Sequence, residues 1–155
     1  YQLRHIRVVL RGTCNTLVGF LAVAKSCTEF PISSQIYGVS SEAVYRALLD
    51  REALGPTGVG RGVAIPHARF GEVDRVRGLF VRREKPVDFE SIGRQPVDLV
   101  FTLLAPEAAG ADHLKALARV SRTLRSEDIC SKLRSTFEPS ALYAILTEGK
   151  TERAA

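Results

Sequence analysis

The chain has 155 residues, of which 45% are hydrophobic and 25% charged, as is typical of one soluble globular domain with a good core. Its formal net charge of +5 is only mildly basic, and Lys and Arg are scattered along the sequence, which argues against a dedicated nucleic-acid-binding stripe. Three cysteines without CxxC spacing fit a reducing compartment better than a disulfide scaffold. No apolar run approaches the roughly 18 residues that a transmembrane helix needs, so we expect no membrane insertion.

The first 37 residues form an N-terminal segment whose structure the sequence does not define, and we expect it to pack on the domain that follows. Arginines precede an apolar stretch at residues 17–24, as in a secretory signal peptide, but the stretch is short for that role. Gly12, Gly19 and Pro31 dilute any helical pattern in this segment.

A helix is predicted at residues 41–54. Ser40 or Ser41 can cap its N-terminus, and Gly55 occupies the position at which helices commonly end. Arg51 falls in the last turn, from which its guanidinium can reach over the segment that follows. The apolar positions of this helix fall roughly on one face and are Val44, Ala47, Leu48 and Leu54.

The segment at residues 55–69 collects four glycines and two prolines around His67. Exposed amide groups of such a loop can form an anion-binding concavity, which then leads into a short apolar strand at residues 63–65. Pro66 restricts the backbone that presents His67, and a histidine held in this way can be a nucleophile, a general base or a metal ligand. The order of helix then strand excludes a dinucleotide fingerprint, and no Gly-Lys-Ser/Thr supports a Walker A loop. A tight connection with an incidental surface histidine explains the local pattern equally well.

The second half of the chain alternates strands and helices. Residues 78–81 read as a strand, and a turn follows at residues 85–86. Residues 97–104 form an almost continuous apolar run, typical of a central strand buried on both faces. We therefore predict a single α/β domain, with a small mixed β-sheet flanked by helices on both faces. Three further helices are predicted at residues 111–124, 128–133 and 140–146.

His113 lies at the start of the helix that follows the central strand, at an end of the sheet where α/β proteins usually build sites. By position alone, a surface or capping role is the more common one. A two-histidine, one-carboxylate metal site formed by His67, Asp112 and His113 is an alternative, although no HxxxH or HxH pair anchors it. A purely structural binding module, without catalytic chemistry, is a third alternative for the function of this chain.

The run at residues 51–67, REALGPTGVGRGVAIPH, resembles the active-site signature of the mannitol/fructose-type enzyme IIA domains of the bacterial phosphoenolpyruvate-dependent phosphotransferase system. Within that family it is most similar to the nitrogen-regulatory enzyme IIA. The resemblance covers residues 38–148 and implies the enzyme IIA fold there, followed by a flexible tail at residues 149–155. Further matching segments are PVDF at 86–89, QPVDLVF at 95–101, LLAP at 103–106, DHL at 112–114 and LA at 117–118.

The resemblance also implies an active site. His67 matches the phosphoryl acceptor, and His113 matches the second active-site histidine, which hydrogen-bonds the phosphate or orients the first ring. Arg51 is implied to stabilise the phosphoryl charge. No metal or organic cofactor is expected. The implied phosphate-binding loop comprises Thr57, Gly58, Gly60 and Gly62.

The function implied by the resemblance is that of a cytoplasmic, mainly regulatory phosphotransferase component. It would accept a phosphoryl group from phospho-HPr or its nitrogen-branch homologue, and its phosphorylation state would be read by unidentified target proteins. One alternative is a sugar-transport enzyme IIA of the fructose or mannitol type, which passes phosphate to a IIB domain. The metal site above gives a remote alternative, a metal-dependent hydrolase.

Overall fold

The computed structural model describes residues 6–11, 38–88 and 95–148 of the chain; side chains of residues 6–11 and of residue 148 are not considered. The predictions for the rest of residues 1–37 and for the tail at 149–155 lie outside the described residues. The elements in chain order are β1 (Ile6–Arg11), α1 (Ser41–Ala53), β2 (Gly58–Gly60), β3 (Val63–Ala64), β4 (His67–Arg69), β5 (Arg77–Val87), β6 (Val97–Ala105), α2 (Gly110–Leu124), α3 (Glu127–Ser135) and α4 (Pro139–Glu148).

The strands form one mixed sheet around β6. On one side β6 pairs antiparallel with β5, which in turn pairs parallel with β1. On the other side β3 and β4 pair parallel with successive parts of β6, and β2 pairs antiparallel with β3. Val63 lies opposite Leu99, and His67 lies opposite Leu103. This register places His67 at the carboxyl end of the central strand, the end from which the chain proceeds into α2.

Helices cover both faces of the sheet, as the sequence predicted. Alternate side chains of β6, among them Phe101 and Leu103, pack into one core cluster with α2, α3 and α4. On the opposite face, Leu104 packs with Val44 and Leu48 of α1. Because both faces of β6 are covered, its side chains are buried almost without a break, which confirms the predicted central strand.

The predicted helices are all present, with ends that shift by only a few residues. Ser40 is the N-cap of α1, since its hydroxyl accepts a hydrogen bond from the N–H of Ala43 at 3.3 Å. Ser126 caps α3 in the same way. Within the described part of the chain, no helix is both long and apolar enough to cross a bilayer.

Two strand predictions are wrong. Strand β5 runs from Arg77 to Val87, well beyond the predicted residues 78–81, and continues through the predicted turn at Pro86. Its register with β6 shifts between Arg82 and Val87, and such an irregular stretch tolerates a proline that lacks a ladder donor. The predicted loop at Gly58–Gly60 pairs as β2, because the glycine-rich segment folds back on β3 as a hairpin.

Candidate active site

His67 begins β4, and both of its ring nitrogens have a partner. Its Nδ1 lies 2.9 Å from the carbonyl oxygen of Ile65, and its Nε2 lies 3.2 Å from Nε of Arg51. A carbonyl oxygen can only accept, so Nδ1 carries the hydrogen; a guanidinium can only donate, so Nε2 carries the lone pair. The half-buried ring is therefore held as the neutral tautomer in which Nε2 carries no hydrogen. We call this nitrogen bare, and this tautomer is the nucleophilic form of the ring.

Arg51 is held against His67 by the end of its helix. It lies in the last turn of α1, and its Nη1 donates a hydrogen bond to the carbonyl oxygen of Gly55 at 3.1 Å. Gly55 follows the helix with a φ of 153°, a conformation that side-chain-bearing residues rarely adopt. The guanidinium is thus fixed to the connection that leads toward β2, and it reaches His67 as the sequence suggested.

The ring of His113 lies beside that of His67 and has no hydrogen-bond partner among the described residues. The two ring centroids are 5.8 Å apart, with an angle of 44° between the planes. His113 is only 7% exposed, and neither of its ring nitrogens is hydrogen-bonded to any described residue. A buried polar group without a partner is costly, so its ring is suited to a group that enters the site from outside.

Burial keeps both imidazoles neutral. Burial is the main reason that the pKa of His67 is lowered; the Ile65 carbonyl raises it, the Arg51 charge lowers it, and the Glu52 charge raises it. The pKa of His113 is also lowered chiefly by burial, then by electrostatic coupling to the His67 ring, and further by the charges of Arg69 and Arg51. At neutral pH, His67 therefore retains the lone pair that a nucleophile needs.

Thr57 is buried and uses both of its donors within the protein. Its N–H donates to Oε1 of Glu52 at 2.9 Å, and its hydroxyl donates to Oε2 of the same carboxylate at 2.6 Å. This carboxylate closes the connection between α1 and β2. Binding of phosphate by Thr57 and by Gly58, the first residue of β2, stays a prediction.

Gly60 and Gly62 belong to the turn of the β2–β3 hairpin. The two-residue loop between Gly60 and Val63 has positive φ at both positions, 54° for Arg61 and 76° for Gly62, which is the pattern of a type I′ turn. This turn lies beside the start of β6, whereas His67 pairs near its other end. The structure therefore brings His67, His113 and Arg51 together. Gly60 and Gly62 lie farther away, at the turn of the hairpin.

The metal-site alternative has no ligand set in the structure. Across residues 38–88 and 95–148, no three His, Cys, Asp or Glu side chains are grouped as a metal ion would require. His67 and His113 are neighbours, but Asp112 does not join them in such a group.

Sequence reasoning missed one residue beside the site. No role was predicted for Glu52, yet its carboxylate accepts two hydrogen bonds from Thr57 and its charge acts on His67. A carboxylate in the last turn of a helix, five residues before a threonine in the following loop, was the available signal. Its meaning depends on how the loop folds back, which local pattern does not specify.

The fold and the site together define an α/β domain in which an unprotonated histidine nitrogen faces a guanidinium. A bare imidazole nitrogen beside a guanidinium and a second open imidazole is suited to a tetrahedral oxyanion such as a phosphoryl group. A family model, described as phosphoenolpyruvate-dependent sugar phosphotransferase system, EIIA 2, matches residues 31–149. The chain belongs to this family, whose members are phosphotransferase components of the phosphocarrier type.

Known relatives confirm the predicted family and fold. The chain is 54% identical over 114 residues to a nitrogen regulatory protein from Bradyrhizobium diazoefficiens, a match that covers 74% of each sequence. The structure matches the nitrogen regulatory protein IIA-Ntr from Neisseria meningitidis with a TM-score of 0.79 and 32% identity, over 94% of both chains. IIA mannitol from Escherichia coli has a TM-score of 0.68 at 21% identity, over 92% of this chain and 96% of that one, and supports the fold alone.

Proposed function

We propose that this protein is a histidine phosphocarrier that accepts a phosphoryl group on Nε2 of His67 from phosphorylated HPr or its nitrogen-branch homologue. The observation that supports the proposal best is the paired hydrogen bonding of the His67 ring, which leaves Nε2 bare and directed at Arg51. In this proposal the protein exchanges phosphate with its carrier in the cytoplasm, and target proteins respond to its phosphorylation state.

The transfer step exchanges one phosphorus–nitrogen bond for another. The lone pair on Nε2 of His67 attacks phosphorus while the bond to the donor imidazole breaks, and that electron pair returns to the donor ring. The His67 ring takes on the formal positive charge that the donor ring loses. Its Nδ1–H stays bonded to the Ile65 carbonyl, which stabilises this charge. Because similar bonds form and break, the exchange is nearly thermoneutral and reversible.

Arg51 and His113 stabilise the transferred group. As phosphorus approaches Nε2, the Arg51 guanidinium releases the lone pair and turns its donors to two phosphoryl oxygens. The open ring nitrogens of His113 allow it to donate a hydrogen bond to a third oxygen. Phosphoryl transfer needs mainly alignment and charge stabilisation from the protein, and the side chains of His67, Arg51 and His113 supply both.

Phosphorylation would also change the surface around the site. Leu54, three residues beyond Arg51, is 84% exposed, and Leu114, next to His113, is 60% exposed. A phosphoryl group on His67 adds roughly −1.5 to −2 charge to a site whose Arg51 and His113 are followed in the chain by these exposed apolar residues. Such a change can weaken or create docking of a partner, which is the physical basis of the proposed regulatory role.

Intact mass after incubation with phosphoenolpyruvate, enzyme I and either HPr or its nitrogen-branch homologue tests the proposal. We expect the wild type to gain one phosphoryl group and a folded His67→Ala variant to gain none. The modification should be acid-labile and base-stable, as a phosphoramidate is. Uptake by His67→Ala would refute the site, and acid-stable modification would implicate a hydroxyl group, with Thr57 the first to test. A preference for the nitrogen-branch donor supports the regulatory role over sugar transport.

A further inference from the structure

We propose that Glu52 is a positioning residue for His67, acting through a continuous chain of hydrogen bonds that crosses Thr57 and Ile65. The inference rests on the proposed function, because it explains how the nucleophilic tautomer of His67 is maintained. Glu52 itself makes no hydrogen bond to His67 among those that the structure shows for the two residues.

The chain of hydrogen bonds has three steps. Both carboxylate oxygens of Glu52 accept from Thr57, one from its N–H and one from its hydroxyl. The carbonyl oxygen of Thr57 accepts from the N–H of Ile65 at 3.0 Å. The carbonyl oxygen of Ile65 accepts from Nδ1–H of His67 at 2.9 Å. Every donor in the chain points toward the carboxylate.

The position of the Ile65 carbonyl depends on this chain. Its peptide unit joins Ile65 to Pro66, which has no N–H, so this unit cannot be oriented by a donor of its own. The restraint on its N-terminal side is the bond from the Ile65 N–H to Thr57. Thr57 in turn is 5% exposed and is fixed by the two bonds to Glu52. Together with the bond from the Leu103 N–H to the Pro66 carbonyl on the other side, this restraint positions the acceptor for Nδ1, and Glu52 contributes to it through Thr57.

A carboxylate is specifically suited to this position. Thr57 presents two donors, and a carboxylate offers one acceptor oxygen to each. In Glu52→Gln, one of these donors would face an NH₂ group, and a buried donor would lose its partner. In Thr57→Val, the carboxylate loses the hydroxyl donor while the side chain keeps its shape.

Glu52 also contributes charge to the site. The charged and titratable groups that act on His67 are Arg51 and Glu52, with His113 adjacent and Arg69 nearby. Removal of the Glu52 charge lowers the pKa of His67, and so does loss of the Ile65 hydrogen bond. The variant ring would therefore stay neutral at neutral pH. Slower transfer would then result from loss of the correct tautomer and orientation, with the acid limb of the pH profile moved to lower pH.

The test combines ring NMR of the unphosphorylated protein with the initial rate of phosphoryl uptake. Glu52→Gln and Thr57→Val are compared with wild type and with Glu42→Gln, the same substitution at an exposed position of the same helix. In wild type and control, we expect a protonated Nδ1 and a bare Nε2 on His67. Both test variants should show a mixture of tautomers and about five- to tenfold slower uptake, the equivalent of one lost hydrogen bond.

Two additions keep the outcomes distinct. Thr57→Ser keeps the hydroxyl and should recover the wild-type ring spectrum, whereas a spectrum that stays altered would argue against the hydroxyl step. If Glu52→Gln does not fold, Thr57→Val decides. Unchanged tautomers and rates in a folded test variant overturn the proposal. A wild type that takes up no phosphoryl group refutes the proposed function instead, and the ring spectra then decide the positioning role alone.

Discussion

Replacement of Arg51 by alanine tests how the site stabilises the phosphoryl group. The substitution removes the guanidinium that lies 3.2 Å from Nε2 of His67 and is anchored to Gly55. A charge-assisted hydrogen bond to the phosphoryl group contributes about 1.5 to 3 kcal/mol. The guanidinium can make two such bonds, whereas its resting bond to the His67 lone pair, which is also charge-assisted, must break before attack and offsets about one of them.

The net loss of transition-state stabilisation is therefore about one charge-assisted hydrogen bond, or about 1.5 to 3 kcal/mol, which corresponds to about 10- to 150-fold slower transfer. Arg51→Lys should lie between wild type and alanine, because it keeps the charge but lacks the planar fork that pairs with two oxygens.

The assay is the initial rate of phosphoryl uptake, followed by intact mass at a fixed concentration of phosphorylated donor. Arg46→Ala is the matched control, since Arg46 lies on the same helix in an exposed ion pair with Glu42. The reasoning fails if Arg51→Ala and Arg46→Ala take up phosphate at the same rate. It also fails if Arg51→Lys is as slow as Arg51→Ala, because charge would then contribute nothing.

His113→Leu should slow phosphoryl uptake by about two- to tenfold, since it removes a donor to the phosphoryl group, and an unchanged rate would assign His113 to packing alone. Because the pKa of both active-site histidines is lowered from 6.5, the unfolded chain binds more protons below that pH, so the free energy of unfolding should fall from pH 7 to pH 5. Urea titrations at the two pH values should show a smaller fall in the free energy of unfolding for His113→Leu than for the wild type. An equal fall in the two proteins would contradict this prediction. Gly62→Ala should destabilise the fold by about 1 to 3 kcal/mol, since an added Cβ would lie 2.7 Å from both Asp98 and Arg134. Gly38→Ala is its control, having a similar φ of 67° in open space, and equal urea midpoints for the two variants would show that contact adds nothing to backbone strain.

The Asp98–Arg134 pair illustrates what remained hidden in the sequence. Arg134 donates from Nε and Nη2 to both carboxylate oxygens of Asp98, and Nη2 also donates to the carbonyl oxygen of Arg61. These contacts join α3, β6 and the hairpin turn, which are far apart in the chain. Gly62 is packed against the pair, so its lack of a side chain serves this packing. The resemblance also implies a place for Gly62 in a phosphate-binding loop, and that role stays a prediction.

Local chemistry was enough to determine most of the elements. The run of apolar side chains in β6 indicated a strand buried on both faces, and Ser40 and Gly55 marked the two ends of α1. The signature around His67 led to the family, and through it to Arg51 and His113. The predicted strand and helices were confirmed because periodicity, capping and backbone restriction act between residues that are close in sequence, whereas the roles of Arg51 and His113 stay predictions.

Only the tertiary structure decided the state of the site. Parallel pairing of β4 with β6 places His67 beside the start of α2, and packing of that helix on the sheet buries His113 against it. The bare Nε2 of His67 depends on acceptor and donor positions in other segments, and so does the role of Glu52. Hydrogen-bond direction, tautomer and burial arise from contacts between distant parts of the chain, which residue types and spacing alone leave undetermined.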